Sequence, residues 1–277
     1  MKKRISLLFV LALTLLLAAC GTSDKDDKSS SGDNPKLTVG ATNVPHAEIL
    51  EEAKPLLEKK GIDLKIVKYN DYVMPNKALA EKDLDANYFQ HIPYLELQNK
   101  ENNYGFVNAG GIHIEPIGIY SKKYKKLTDL PKGAEIIMSS SVADHGRVLS
   151  LLEAKGLIKL KEGIDKTAAT VKDIVDNPKK LKFKTDIDAP LLTQVYKNDE
   201  GDAVAINSNF AIDGGLNPLK DSIAIEGSES PYVNVIAVRK EDKDNKDIQT
   251  LVDVLHSKEI QDFIKDKYKG AVVPVSE

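Results

Sequence analysis

Tyr88, Phe89, Gln90, His91 and Tyr94 fall within seven consecutive positions of the run DANYFQHIPYLE, residues 85–96. Three aromatic rings, an amide and an imidazole that close together fit a packed core, a metal corner, a catalytic cluster or the wall of a ligand cleft. Aromatic faces suit an apolar or sulfur-containing side chain, because a thioether gains about 0.3–1.5 kcal/mol against a ring. Gln90 and His91 can supply hydrogen bonds at the rim of such a surface. Neighbouring side chains on a strand point to opposite faces, so one of Tyr88 and Phe89 is expected to enter a core instead.

Arginine is scarce in this lysine-rich chain: Arg4, Arg147 and Arg239 are the only three. A guanidinium offers a planar fork that lysine lacks, so each arginine invites the question of what needs it. Arg147 follows SSSVADHG and reads as opening a helix. Free N–H groups at a helix start favour an anion, and an adjacent fork can hold a carboxylate through two bonds. That combination suits the α-carboxylate of an amino acid or peptide. Arg239, near the end of a strand, reads as structural. Asn207 and Asn234 each interrupt an apolar strand-like run, AINSNF (205–210) and SPYVNVIAV (230–238). A buried amide destabilises the fold unless its polar atoms find partners, and either a ligand or the backbone can serve.

Other chemistries find less support. The histidines at 46, 91, 113, 145 and 256 are well separated, with no HExxH spacing. There is no G-x-S-x-G, no cysteine after residue 20 to act as a thiol nucleophile, and no Gly-rich phosphate loop. Gly110-Gly111 and Gly214-Gly215 read as turns.

These groups must be positioned by alternating elements. LTVGAT (37–42) reads as a strand, 46–61 as a helix ending at Gly61, and DLKIVKY (63–69) as a second strand. A helix over 76–84 leads to the strand at 85–91, and a helix runs from His91 to Asn102 with Pro93 in its first turn, where no N–H is needed. Strands follow at 106–109, 116–120 and 134–140, and an amphipathic helix at 146–158. A C-terminal helix is expected over 246–267. Such alternation predicts a mainly parallel sheet covered by helices. EPIGIYS (115–121) and PYVNVIAVRK (231–240) read as crossover segments between two lobes. Residues 36–114 with 233–277 form one lobe and 115–232 the other, with a cleft between them suited to a small ligand.

The chain ends narrow the class. Lys2, Lys3 and Arg4 precede an apolar run, Ile5 to Ala19, too short for a comfortable membrane span, which reads as an export signal over 1–19. It closes on Leu17-Ala18-Ala19-Cys20, similar to the bacterial lipobox, and Cys20 is the only cysteine. Acyl chains on Cys20 would anchor the protein at a membrane. Residues 20–35 are polar and helix-breaking, a disordered tether spanning about 20 Å. A net charge of −3 with well-mixed signs argues against nucleic acid as a partner.

Taken with these features, the blocks TVGATNVPHAEIL (38–50), YNDYVMPNKAL (69–79), DANYFQHIPYLE, GRVLSLLEAKGLI (146–158), AVAINSNFA (203–211) and SPYVNVIAVR (230–239) resemble the NlpA lipoprotein family, the methionine-binding components of ABC importers. The resemblance runs over essentially the whole mature chain. It implies an α/β, two-lobe periplasmic-binding-protein-like (type II) fold with a ligand cleft between the lobes. It implies that Tyr72, Phe89, Gln90, His91 and Tyr94 line a side-chain pocket, that Arg147 holds the carboxylate, and that Asn207 and Asn234 bind the ligand's polar groups. The implied protein is a lipid-anchored monomer on the extracytoplasmic face. Its partners are a small-molecule ligand (methionine, a derivative or a short peptide) and an ABC permease with its ATPase. No cofactor or metal is implied, and no reaction. The family's Pro-Asn-Asp-Pro-Thr-Asn-type loop is replaced by SSSVADH (139–145), with Asp144 where an asparagine is expected. A carboxylate there suits a free ammonium, or a longer ligand such as a methionine-containing dipeptide. Two rivals stand beside this reading: a metal-binding importer lipoprotein using His46, His91 or His145, and a membrane-anchored peptide hydrolase.

Overall fold

The computed structural model describes residues 35–275, apart from residue 228. The export signal, Cys20 and the tether through residue 34 lie outside the described residues. No helix among the described residues is long and apolar enough to cross a membrane.

In chain order the strands are β1 Lys36–Thr42, β2 Asp63–Tyr69, β3 Ala86–His91, β4 Phe106–Ile114, β5 Gly118–Tyr120, β6 Glu135–Ser139 and β7 Lys159–Leu160, then β8 Ile174–Asp176, β9 Lys182–Ile187, β10 Ala203–Ile206, β11 Ser222–Ile225, β12 Val233–Arg239 and β13 Val273–Pro274. The α-helices are α1 Glu48–Glu58, α2 Met74–Ala80, α3 Ile92–Asn102, α4 Val142–Ala154 and α5 Leu192–Lys197, then α6 Ser208–Asp213, α7 Pro218–Asp221, α8 Lys246–Leu255 and α9 Lys258–Tyr268. Among the described residues the strands form a six-stranded sheet (β13-β4-β12-β3-β1-β2), a five-stranded sheet (β11-β5-β10-β6-β9) and a β7-β8 ribbon.

Both large sheets are mixed rather than mainly parallel. Helical crossovers make β1 parallel to β2 and β3. The chain then leaves after β4 and returns as β12, which inserts between β3 and β4 antiparallel to both. In the smaller sheet β6 is parallel to β9 and β10, while β5 runs antiparallel to β10 and β11. The alternation of strand and helix was legible; the direction of a strand returning from a distant segment was not.

Helix ends explain the other differences. The first helix is regular only to Glu58, with Gly61 at φ 81° closing the turn beyond it. The second helix covers 74–80, and Phe106–Ile114 is one continuous strand. Gly110-Gly111 therefore lies inside β4 and is no turn. A Cβ on Gly110 would sit 2.5 Å from Val252 Cγ1, so the glycine lets α8 pack against the sheet. The expected C-terminal helix divides because Ser257 is extended and its side chain accepts the Ile260 N–H, capping a new helix. Each large sheet has its own core: Val39, Ile49, Leu50, Ile236, Leu251 and Ile264 in one, Ile119, Ile136, Met138, Leu149, Leu152 and Ala205 in the other.

Candidate functional site

Pro93 opens α3 just after β3 ends, and His91 caps it: the Tyr94 N–H donates to His91 Nδ1 at 3.2 Å. With Nδ1 accepting, Nε2 is the donor, and it faces Asp144 Oδ1 at 3.2 Å. The cap thus fixes both ring orientation and tautomer. Strand alternation splits the neighbouring aromatics as expected. Tyr88 is fully buried in the core of the larger sheet, while Phe89 clusters with Tyr94 and Tyr72.

Tyr72 lies 5.9 Å from Phe89, 5.8 Å from Tyr94 and 4.9 Å from Phe210, centroid to centroid, forming an aromatic box. Its hydroxyl donates to Asn209 Oδ1 at 2.6 Å, and the Tyr94 hydroxyl donates to the Tyr72 carbonyl. Burial raises the pKa of Tyr72 and Tyr94, keeping both phenols as donors.

All eight ligand-contact positions expected from the sequence, Tyr72, Phe89, Gln90, His91, Tyr94, Arg147, Asn207 and Asn234, border one narrow pocket. Glu115, Asp144, Ser208 and Asn209 complete its lining. Among these, Gln90 differs from expectation. Its amide exchanges hydrogen bonds with Asn76 and donates to Asn87 Oδ1, so it ties α2 to β3 rather than serving the rim.

Arg147 also differs from expectation. The helix begins at Val142, which puts Arg147 in the second turn, buried to 4% exposure and away from the free N–H groups. Its Nη2 donates to the Glu115 carbonyl at 2.7 Å, and both Nε and Nη2 pair with Glu226 Oε2. Its guanidinium lies 4.5 Å over the Tyr232 ring. One edge of the fork, Nε and Nη2, is thus held inside the protein, and among the described residues Nη1 makes no hydrogen bond. Burial disfavours the charge, but the field of Glu226 and then Asp144 outweighs it and keeps the guanidinium protonated.

The sheet register sets His91, Asn234 and His113 side by side across β3, β12 and β4. Asn234 Oδ1 lies 3.2 Å from His46 Nε2. Asn207 follows β10 at the N-cap position of α6 rather than interrupting a strand, and its Oδ1 is buried with no hydrogen-bond partner. An orphaned acceptor in a pocket wall marks a place where a ligand donor is wanted. Burial works against the Asp144 charge, yet His91, Arg147 and Asn207 hold its carboxyl below the ordinary range.

Glu115, which sequence reasoning missed as a site residue, lies between β4 and β5. Its Oε1 receives His113 Nε2 at 2.8 Å and His46 Nε2 at 3.1 Å. The three ligand-type atoms all lie within 4.8 Å of one another. The metal rival named His46, His91 or His145, and of these only His46 belongs to this group. In the structure His91 bonds Asp144, and His145 Nε2 bonds the Ser139 carbonyl at 2.8 Å. The signal that could have found Glu115 was its place as the sole acid between His113 and the apolar run from Pro116 to Tyr120.

Comparison with known proteins follows the same lines. A family model described as NlpA lipoprotein matches residues 37–276. A protein of Bacillus subtilis (strain 168) named methionine-binding lipoprotein MetQ is 52% identical over 279 residues, covering 100% of both chains. Among solved structures, a pheromone cOB1 precursor/lipoprotein of the YaeC family from Enterococcus faecalis matches at TM-score 0.85 and 60% identity, covering 87% of this chain and 100% of that one. A nutrient binding protein from Burkholderia cenocepacia, solved bound to methionine, matches at TM-score 0.82 and 44% identity, again covering 87% and 100%.

Proposed function

This chain belongs to the NlpA lipoprotein family, and from that premise we propose that it is the substrate-binding component of an ABC importer, capturing methionine or a close relative. The observation that carries the reading is a buried guanidinium, Arg147, bordering the same pocket as the Tyr72, Phe89 and Tyr94 rings. A zwitterion with a thioether tail matches both ends: a carboxylate for the arginine and a polarizable sulfur for the rings. In this reading Gln90 and His91 shape the wall. Asn207 and Asn234 meet the ligand's polar groups.

Residues 36–114 with 233–277 act as one lobe and 115–232 as the other, closing on the ligand through its contacts with both. Acylated Cys20 anchors the protein on the extracytoplasmic face, and the ligand passes to a permease and its ATPase. The protein works without catalysing a reaction.

Native mass spectrometry of protein expressed from residue 22 onward tests this directly. A stoichiometric small molecule of methionine's mass is expected, and a dipeptide would be distinguished by mass. Protein that binds neither in added excess would overturn the assignment. Phe89→Ala should weaken methionine by about 1 kcal/mol or more through lost ring contact and apolar burial, while affecting alanine or serine less. Calorimetry showing equal losses across the three amino acids would remove the thioether role.

A further inference from the structure

Three side-chain amides are buried together where α2 meets β3. Asn76 and Asn87 are fully buried, and Gln90 is 2% exposed. Gln90 Nε2 donates to Asn76 Oδ1 and to Asn87 Oδ1, both at 2.9 Å. Asn76 Nδ2 returns a bond to Gln90 Oε1 at 3.1 Å. Asn87 Nδ2 donates to Asn76 Oδ1 at 2.9 Å and to the Pro75 carbonyl at 3.3 Å. The set is closed, because every side-chain oxygen in it accepts from another member. Desolvating three amides carries a cost that apolar side chains of similar size would avoid. What the amides add is direction: apolar packing tolerates a slip, whereas a closed set of hydrogen bonds is satisfied in one register.

The register matters because Tyr72 immediately precedes α2. Apolar burial does not hold this end of the helix: Val73 is 49% and Met74 46% exposed. Ala78 and Leu79, which do pack into a core, lie a turn farther on. At the near end Asp71 Oδ1 accepts the Val73 and Met74 N–H groups, and Asn87 holds the Pro75 carbonyl. A slip of one residue turns a helix by about 100° and shifts it by about 1.5 Å, enough to carry the Tyr72 ring away from Phe89 and Tyr94. We propose that the Asn76–Asn87–Gln90 triad is the device that positions Tyr72, and that through Tyr72 it sets the preference of the pocket for a long, unbranched side chain. This rests on the amino-acid-binding reading above. Asn76 and Asn87 do not border the pocket, so they act only through the residues they hold.

A double-mutant cycle on the whole mature chain tests the coupling. Asn76→Leu together with Asn87→Val is made with Tyr72 intact and again in a Tyr72→Ala background, and thermal melts establish that each variant is folded. Calorimetry then measures L-methionine, L-norleucine and L-leucine. With Tyr72 present, the amide substitutions should weaken methionine and norleucine by about tenfold and branched leucine by less, so that selectivity narrows. With Tyr72 absent, the same substitutions should cost less than about twofold. Losses of equal size in the two backgrounds, as a merely structural role would give, or no loss in a folded variant would overturn the proposal. Should the paired substitution fail to fold, Asn87→Val alone keeps the Asn76–Gln90 exchange and removes the tie to Pro75. Its loss must then depend on Tyr72 in the same way, and a loss independent of Tyr72 would count against the triad. Wild type that binds none of the three amino acids would instead defeat the amino-acid reading on which the proposal rests.

Discussion

Arg147→Ala should weaken ligand binding by about 2–5 kcal/mol, the usual cost of truncating one side of a buried, hydrogen-bonded charge pair. The loss has two sources that a single variant does not separate. The ligand carboxylate forfeits its cation, and Glu226 is left largely buried beside an uncharged side chain. Arg147→Lys retains the charge but cannot bond Glu226, the Glu115 carbonyl and a ligand carboxylate at once through a fork. It should therefore recover stability more fully than affinity. Calorimetry paired with thermal melts reads both quantities. An alanine variant that binds with near wild-type affinity would remove the carboxylate role.

Acid should destabilise the protein well before its carboxylates titrate. Burial is the main cause that pulls His46 down to about 4 and His113 down to about 3, against 6.5 for a free imidazole. Both rings are thus neutral when folded and become protonated on unfolding once the pH is below about 6.5. Their contribution is fully present above that value and is lost as pH falls toward 4 and then 3. At about 1.36 kcal/mol per pH unit for each ring, moving from pH 7 to 5 removes roughly 4 kcal/mol. Protonation of Glu115, raised by burial, favours the folded state and offsets part of this loss. Urea titrations across that range should show a falling midpoint. Assigned histidine carbon-13 NMR should show the His46 and His113 rings still neutral at pH 5; titration of those two rings near 6.5 would refute the buried pair.

The expected fold, an α/β two-lobe periplasmic-binding-protein-like (type II) architecture, is that of the NlpA lipoprotein relatives. Strands and helices up to Asn102 were legible because their signals are local: a 2-residue or 3.6-residue apolar period, a proline in a first turn, a glycine after a last one. Strand direction was not legible, since β12 pairs with β3 across about 140 residues and no local pattern encodes that. The pocket positions were legible through motif, but their chemistry was less so. Nothing near Gln90 in the sequence signals that Asn76 and Asn87 hold its amide, and Glu226 lies 79 residues from the arginine it occupies. Partners that distant are brought together only by the topology. Glu115 was hidden partly for the same reason: His113 is two residues away, but His46 reaches it from the turn between β1 and α1.

Among the described residues the backbone passes from one large sheet to the other only between β4 and β5 and between β11 and β12. Arg147 bonds the Glu115 carbonyl on the first passage and the Glu226 carboxylate on the second, and Glu226 also accepts the Ile117 N–H. One guanidinium thus ties the two passages to each other. In the proposed reading, a ligand carboxylate on Arg147 would bear on the same side chain that joins the two passages.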